Sequence, residues 1–66
     1  MDKLGEELRK RRQERGLTQN KMAAQLLIHR TTYVKYERED VEPSLETLCR
    51  LADLLGCTTD ALLGRE

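Results

Sequence analysis

Residues 18–38 read TQNKMAAQLLIHRTTYVKYER, and the spacing of their apolar side chains decides the fold. Counted from Gln19 as the first position, bulky apolar residues fall at the fourth, eighth, tenth, fifteenth and eighteenth positions, which are Met22, Leu26, Ile28, Tyr33 and Tyr36. Steps of three and four residues give each of two short helices an inward stripe. The small Ala23 at the fifth position lets one helix cross closely over the other. The stretch therefore predicts two helices joined by a tight turn.

This spacing is typical of a helix-turn-helix, whose second helix lies in the major groove of DNA. That second helix is expected to run from about His29 to Arg38. With both tyrosines directed inward, the helical period directs another set of side chains outward, namely Arg30, Thr31, Val34, Lys35 and Arg38. The pattern favours DNA binding.

The remaining sequence predicts a compact all-α bundle of five helices in one domain, residues 1–66. The chain lacks Phe and Trp, so its core must be rich in leucine, which favours helices over a sandwich. The other helices are expected at about Asp2–Glu14, Gln19–Leu26, Leu45–Leu55 and Thr59–Leu63. Hydroxyl side chains provide N-caps at Thr18, Ser44 and Thr58, and glycines end helices at Gly16, Gly56 and Gly64. The fourth helix has an apolar stripe of Leu45, Leu48, Leu51, Ala52 and Leu55.

The charge is unevenly distributed, although the net charge is zero. Residues 1–38 carry ten Lys or Arg against five acids, a balance of +5, whereas residues 39–66 carry two against seven, a balance of −5. The positive half contains the predicted recognition helix. An acidic rear face would orient the domain as it approaches a phosphate backbone.

Several classes of function are disfavoured. Cys49 and Cys57 have no further Cys or His at metal-ligand spacing, so both are expected to be small buried hydrophobic residues in a reducing compartment. The chain has one His and neither a catalytic triad pattern nor a phosphate-binding loop, which argues against an enzyme, a cofactor or a small-molecule ligand. No apolar run could span a bilayer and no signal peptide is evident, so a cytoplasmic protein without a membrane partner is expected.

Four segments together resemble the Cro and phage-repressor, or lambda-repressor-like, type of helix-turn-helix regulator: GEELRKRRQERGLTQNKMAAQL, YER, EPSLETLCRLADLLG and DALLG. The resemblance extends from Leu4 to Gly64 and implies a five-helix fold, operator binding through the third helix and often a symmetric dimer. This chain departs from the pattern at four positions. Leu27 and Glu39 replace the usual glycines, Tyr33 replaces an aliphatic residue, and His29 replaces Ser or Thr.

Candidate base contacts follow from the third helix and the resemblance. The planar fork of Arg30 suits O6 and N7 of guanine, and the alternative is a solvated charge. The resemblance implies that His29, Thr31 and Lys35 contact bases or nearby phosphates, although His29 could instead only start the helix. Val34 could contact a thymine methyl group or be an isolated exposed valine. Thr32 is either a contact or a structural residue.

Candidate phosphate contacts lie at helix starts and flanks. The resemblance implies this role for Gln19, at the start of the second helix where an anion is favoured, with Asn20, Lys21 and Arg38 as further candidates. It also implies that Arg12 and Glu37 form a buried ion pair between the first and third helices; the alternative is two surface charges.

The leading hypothesis is a transcriptional regulator of double-stranded DNA, with repression favoured. The alternative is an antitoxin-like or other protein-interaction module on the same fold. A symmetric homodimer through residues 57–64 is expected, formed in solution or only on DNA. Either Leu62 or Leu63 would face the domain's own core, leaving the other for a partner.

Overall fold

Five helices account for most of the chain in a computed structural model that describes residues 3–66. They are α1 (Leu4–Glu14), α2 (Gln19–Leu26), α3 (Arg30–Arg38), α4 (Leu45–Leu55) and α5 (Thr59–Leu62). The all-α prediction is confirmed, with small changes at helix ends. His29 is the N-cap of α3 rather than its first residue, and α5 ends one residue early. The predicted start of α1 at Asp2 lies outside the described residues.

The three predicted N-caps are confirmed. The hydroxyl groups of Thr18, Ser44 and Thr58 each accept a hydrogen bond from the backbone N–H three residues later. Each bond satisfies a donor that has no partner within its helix. These caps set where α2, α4 and α5 begin, and so they set the register of the apolar stripes.

Two helices end on left-handed residues that are not glycine. Leu27 closes α2 with φ 58°, and Glu39 closes α3 with φ 61°. Both turns use the same hydrogen bonds as the turn at Gly56, in which the next N–H reaches back five residues; Ile28, for example, donates to Ala23 at 3.0 Å. The leucine therefore occupies the conformation for which the family commonly uses glycine, at a cost of about 1–2 kcal/mol.

The core lies where α1, α2, α3 and α4 meet, and α5 covers one end of it. Helix α3 packs on α1 and α2, and α4 packs on α2 and α5. Six large side chains are fully buried: Tyr33, Leu4, Leu8, Met22, Leu51 and Leu62. Tyr33 and Tyr36 both face inward, as predicted, with their rings edge to face at a centroid distance of 6.4 Å.

Two predictions for α4 were wrong. Leu45 belongs to the predicted apolar stripe, yet it is 75% exposed, and Cys49 is exposed rather than buried. Leu45 is the first residue of α4 and precedes the buried set by one turn, whereas Cys49 lies off the apolar stripe. Cys57 is half-buried against the core, and burial raises the pKa of its thiol.

Gly5 allows the start of α1 to touch the end of α3. A Cβ at this position would overlap the carbonyl oxygen of Glu37 and lie 2.8 Å from the Cγ of Glu39. Real side chains do not approach so closely. The absence of a side chain at Gly5 therefore brings α3 near enough to α1 for ion pairing between the two helices.

Candidate nucleic-acid interface

The exposed face of α3 presents most of the side chains predicted to contact bases. His29, Arg30, Thr31 and Lys35 are exposed, and Val34 is half-buried. The opposite face carries Tyr33, Tyr36 and Glu37, which are all buried. Two successive turns of outward side chains therefore project from a helix whose other face is anchored in the core.

Glu37 anchors α3 through a buried ion pair with Arg12. The Arg12 Nε donates to Glu37 Oε2 at 2.6 Å and the Arg12 Nη2 donates to Oε1 at 3.2 Å. The side chains are only 11% and 2% exposed. Arg12 Nη1 also donates to the carbonyl oxygen of Leu17 at 2.9 Å. One guanidinium thus joins α1, the segment before α2 and α3.

Two further donors complete the surroundings of the Glu37 carboxylate. The Tyr33 hydroxyl donates to Oε2 at 2.5 Å, and the Gln19 Nε2 donates to Oε1 at 3.2 Å. Burial alone would raise the pKa of Glu37, but the hydrogen bonds from Arg12, Tyr33 and Gln19 outweigh it and hold that pKa below 4.5. For Tyr33, burial and the bond to the carboxylate both raise the hydroxyl pKa. Glu37 is therefore an anion and Tyr33 a neutral donor at neutral pH.

Gln19 links this buried cluster to the exposed face. Its Oε1 accepts a hydrogen bond from Arg30 Nη2 at 3.3 Å, while its Nε2 is bonded to Glu37. Sequence reasoning assigned Gln19 to a phosphate and missed this bridge. A clue was available, because an amide side chain has both an N–H to donate to a carboxylate and an oxygen to accept from a guanidinium. One amide hydrogen of Gln19 is still available to a phosphate.

The other predicted phosphate contacts lie around this face. Asn20 and Lys21 are exposed in the first turn of α2, and Arg38 is exposed at the end of α3. Arg38 has a partner that the sequence analysis did not anticipate, since its Nε lies 3.3 Å from Asp40 Oδ2. The spacing of two residues across a helix end was the only sequence signal for that contact.

Other kinds of site find little support in the described part of the chain. No helix within residues 3–66 is long and apolar enough to cross a membrane. In the same range, no three His, Cys, Asp or Glu side chains are grouped so that they could hold a metal ion.

Comparison with known proteins identifies bacterial relatives of this chain. The chain is 48% identical over 59 residues to YonR of Bacillus subtilis, an SPbeta prophage-derived uncharacterized HTH-type transcriptional regulator; the match covers 89% of this chain and 55% of the relative. It is 38% identical over 63 residues to the HTH-type transcriptional regulator ImmR of Bacillus subtilis, covering 96% of this chain and 50% of the relative. It is also 38% identical over 63 residues to the cryptic phage CTXphi transcriptional repressor RstR of Vibrio cholerae, covering 96% and 56%.

The chain thus spans about half the length of these relatives. No solved structure matches it significantly. The helix-turn-helix family profile matches residues 8–62, which include all of α2, α3, α4 and α5. The chain belongs to the helix-turn-helix family.

Proposed function

We propose that this domain binds double-stranded DNA sequence-specifically as part of a transcriptional regulator, acting as a repressor in the cytoplasm. The observation that carries the proposal is the two-sided character of α3. Its inner face is held by Tyr33, Tyr36 and the Arg12–Glu37 pair, whereas its outer face exposes cationic and polar side chains. An anchored helix with such a face suits the major groove.

Within this proposal, Arg30 is the main reader of a base. It lies in the first turn of α3 and is exposed, and its only hydrogen-bond partner in residues 3–66 is the neutral Gln19 amide. Its fork can therefore still bind the O6 and N7 of a guanine. His29, Thr31 and Lys35 contact neighbouring bases, and the half-buried Val34 offers its methyl groups to a thymine.

Phosphate contacts come from the start of α2 and the end of α3. Gln19, Asn20 and Lys21 lie in the first turn of α2, where the N–H groups of Gln19 and Asn20 have no partner within the helix and favour an anion, while that of Lys21 is bonded to Thr18. Arg38 flanks the other end of the recognition helix. Such contacts set the register on the duplex without reading sequence.

The proposal includes a symmetric homodimer through residues 57–64, formed in solution or on DNA. Leu62 is fully buried in the domain's own core, whereas Leu63 is only partly buried. Leu63 is therefore the residue available to a second copy. A two-fold dimer would place two α3 helices one DNA turn apart, about 34–36 Å.

Selection of bound duplexes from a random DNA pool tests the proposal. We expect enrichment of one palindromic sequence. The logarithm of the affinity should fall linearly with the logarithm of the salt concentration, with a slope of about −0.9 per phosphate contacted. Failure to enrich any sequence, together with binding that ignores salt, would favour the protein-interaction module instead. A footprint of one asymmetric half-site, bound by one chain, would contradict the dimer alone.

A further inference from the structure

The cation at the end of α3 already has an anionic partner. Arg38 and Asp40 form an ion pair in which both side chains are exposed, 67% and 46% respectively. The left-handed Glu39 turns the chain back at this point, and the Asp40 N–H donates to the Lys35 carbonyl oxygen at 2.9 Å. The backbone turn thus holds Asp40 beside Arg38.

This pairing sets Arg38 apart from the other cations of the interface. In residues 3–66, Lys21 and Lys35 form no ion pair, and Arg30 is bonded only to the neutral Gln19. Within that range, Arg38 is the one proposed contact whose charge is balanced by a neighbouring carboxylate. A phosphate at this end of α3 would have to compete with that carboxylate for the same guanidinium.

We propose that Asp40 weakens DNA binding by holding Arg38 away from the phosphate backbone. This inference rests on the proposed function, since it assumes that the end of α3 lies beside DNA. An exposed ion pair is weak, so Asp40 tunes the affinity and does not block binding. Because phosphates are common to every duplex, the restraint acts equally on operator and non-specific DNA.

Asp40→Asn tests the restraint by removing the carboxylate charge at nearly constant shape. Binding to the selected operator and to an unrelated duplex is measured by fluorescence anisotropy at several salt concentrations. We expect both affinities to tighten by about 1.5- to fivefold. The slope of log affinity against log salt should become steeper by about 0.9, because one more phosphate is neutralised.

Asp53→Asn is the matched control. It removes the same charge from an exposed site on α4, which packs chiefly on α2 and α5 rather than on α3. This variant should leave the salt slope unchanged. An equal steepening in Asp53→Asn would mean that the total charge of the domain matters and would overturn the restraint.

Asp40→Asn made in an Arg38→Gln background separates restraint of Arg38 from direct repulsion between Asp40 and the DNA phosphates. If Asp40 acts through Arg38, Asp40→Asn should have no effect there. A gain of the same size in both backgrounds, or no gain in either, would overturn the inference while leaving the proposed function intact. Lack of salt-dependent binding by the unmodified chain would refute the proposed function, and this inference with it.

Discussion

Replacement of Arg12 by methionine is the most informative perturbation of this domain. The substitution keeps an unbranched side chain of moderate length but removes three hydrogen bonds, two to Glu37 and one to the Leu17 carbonyl oxygen. The Glu37 side chain, 2% exposed, would remain as a buried carboxylate without a counter-charge. Only the uncharged Tyr33 hydroxyl and Gln19 amide would still donate hydrogen bonds to this carboxylate.

Breaking a buried pair by removing one partner costs about 3–5 kcal/mol. For a chain of 66 residues the whole free energy of unfolding is roughly 3–10 kcal/mol. The Arg12→Met variant should therefore lose a large part of its stability in urea unfolding at neutral pH. Arg11→Met is the matched control at the adjacent position. Arg11 forms an i,i+4 pair with Glu7 and is 30% exposed, so its loss should cost only about 0.3–0.5 kcal/mol.

The pH dependence of the stability of Arg12→Met distinguishes an unpaired buried charge on Glu37 from a loss of packing. In the unmodified protein the pKa of Glu37 is lowered, so its stabilisation is present above about pH 4.5 and is lost as the pH falls below that value. Without Arg12 the strongest of the interactions that lower the pKa of Glu37 is lost, and we expect burial, which raises this pKa, to outweigh the remaining hydrogen bonds from Tyr33 and Gln19. The folded variant then binds a proton more tightly than the unfolded chain, and its stability falls as the pH rises from about 5 to about 7.

The deficit of Arg12→Met relative to the unmodified protein should accordingly grow between about pH 5 and about pH 7. A deficit of the same size across this range would mean that lost packing explains the effect. A deficit no larger than that of Arg11→Met would refute the view that the pair is a buried anchor of α3.

Three further substitutions test single features of the structure. Leu27→Gly should leave the melting temperature unchanged or raise it by a few degrees. Leu27 is 85% exposed and has a φ of 58°, so glycine relieves the backbone strain while little packing is lost. A clear fall in the melting temperature would show that the side chain packs in the core. In an ordinary helix, replacing glycine by alanine adds about 0.5–1 kcal/mol of stability. Gly5→Ala should instead destabilise the domain in urea unfolding, because the new Cβ would overlap the Glu37 carbonyl oxygen. A gain in stability would rule out this close contact. Arg30→Ala should weaken operator binding by about 1–3 kcal/mol and relax the preference at one base pair. The control Arg50→Ala, on the exposed face of α4, should do neither. An equal loss of affinity for all duplexes would make Arg30 a phosphate contact.

Local features of this fold were predictable because they depend on neighbours in sequence. A capping hydroxyl at Thr18, Ser44 or Thr58 needs only an N–H three residues later. The inward direction of Tyr33 and Tyr36 follows from their spacing of three. A cap finds its partner group within three residues, and the spacing gives the direction of the tyrosines around the helix axis, so neither prediction needs the tertiary structure.

Leu45 shows where periodicity stops being sufficient. The buried set on α4 consists of Leu48, Leu51, Ala52 and Leu55. Leu45 precedes that set by one turn, at the first residue of the helix and beyond the edge of the core. Helical spacing gives the direction of a side chain around the axis, but whether another element covers that turn depends on where neighbouring helices end. The same limitation hid the close contact at Gly5, which depends on the position of α3.

The buried cluster and the exposed face of α3 form one continuous set of hydrogen bonds. Glu37 is an anion and can only accept, so it requires the amino group of Gln19, and the amide oxygen is then directed to Arg30. The charge on Glu37 in turn depends on Arg12 from α1. A protonated Glu37 could donate to Gln19, which would remove the preference for this amide orientation. The ion pair therefore holds α3 in place and also keeps the guanidinium of Arg30 against a fixed acceptor, so the stability of the fold and the position of the proposed base reader depend on the same carboxylate.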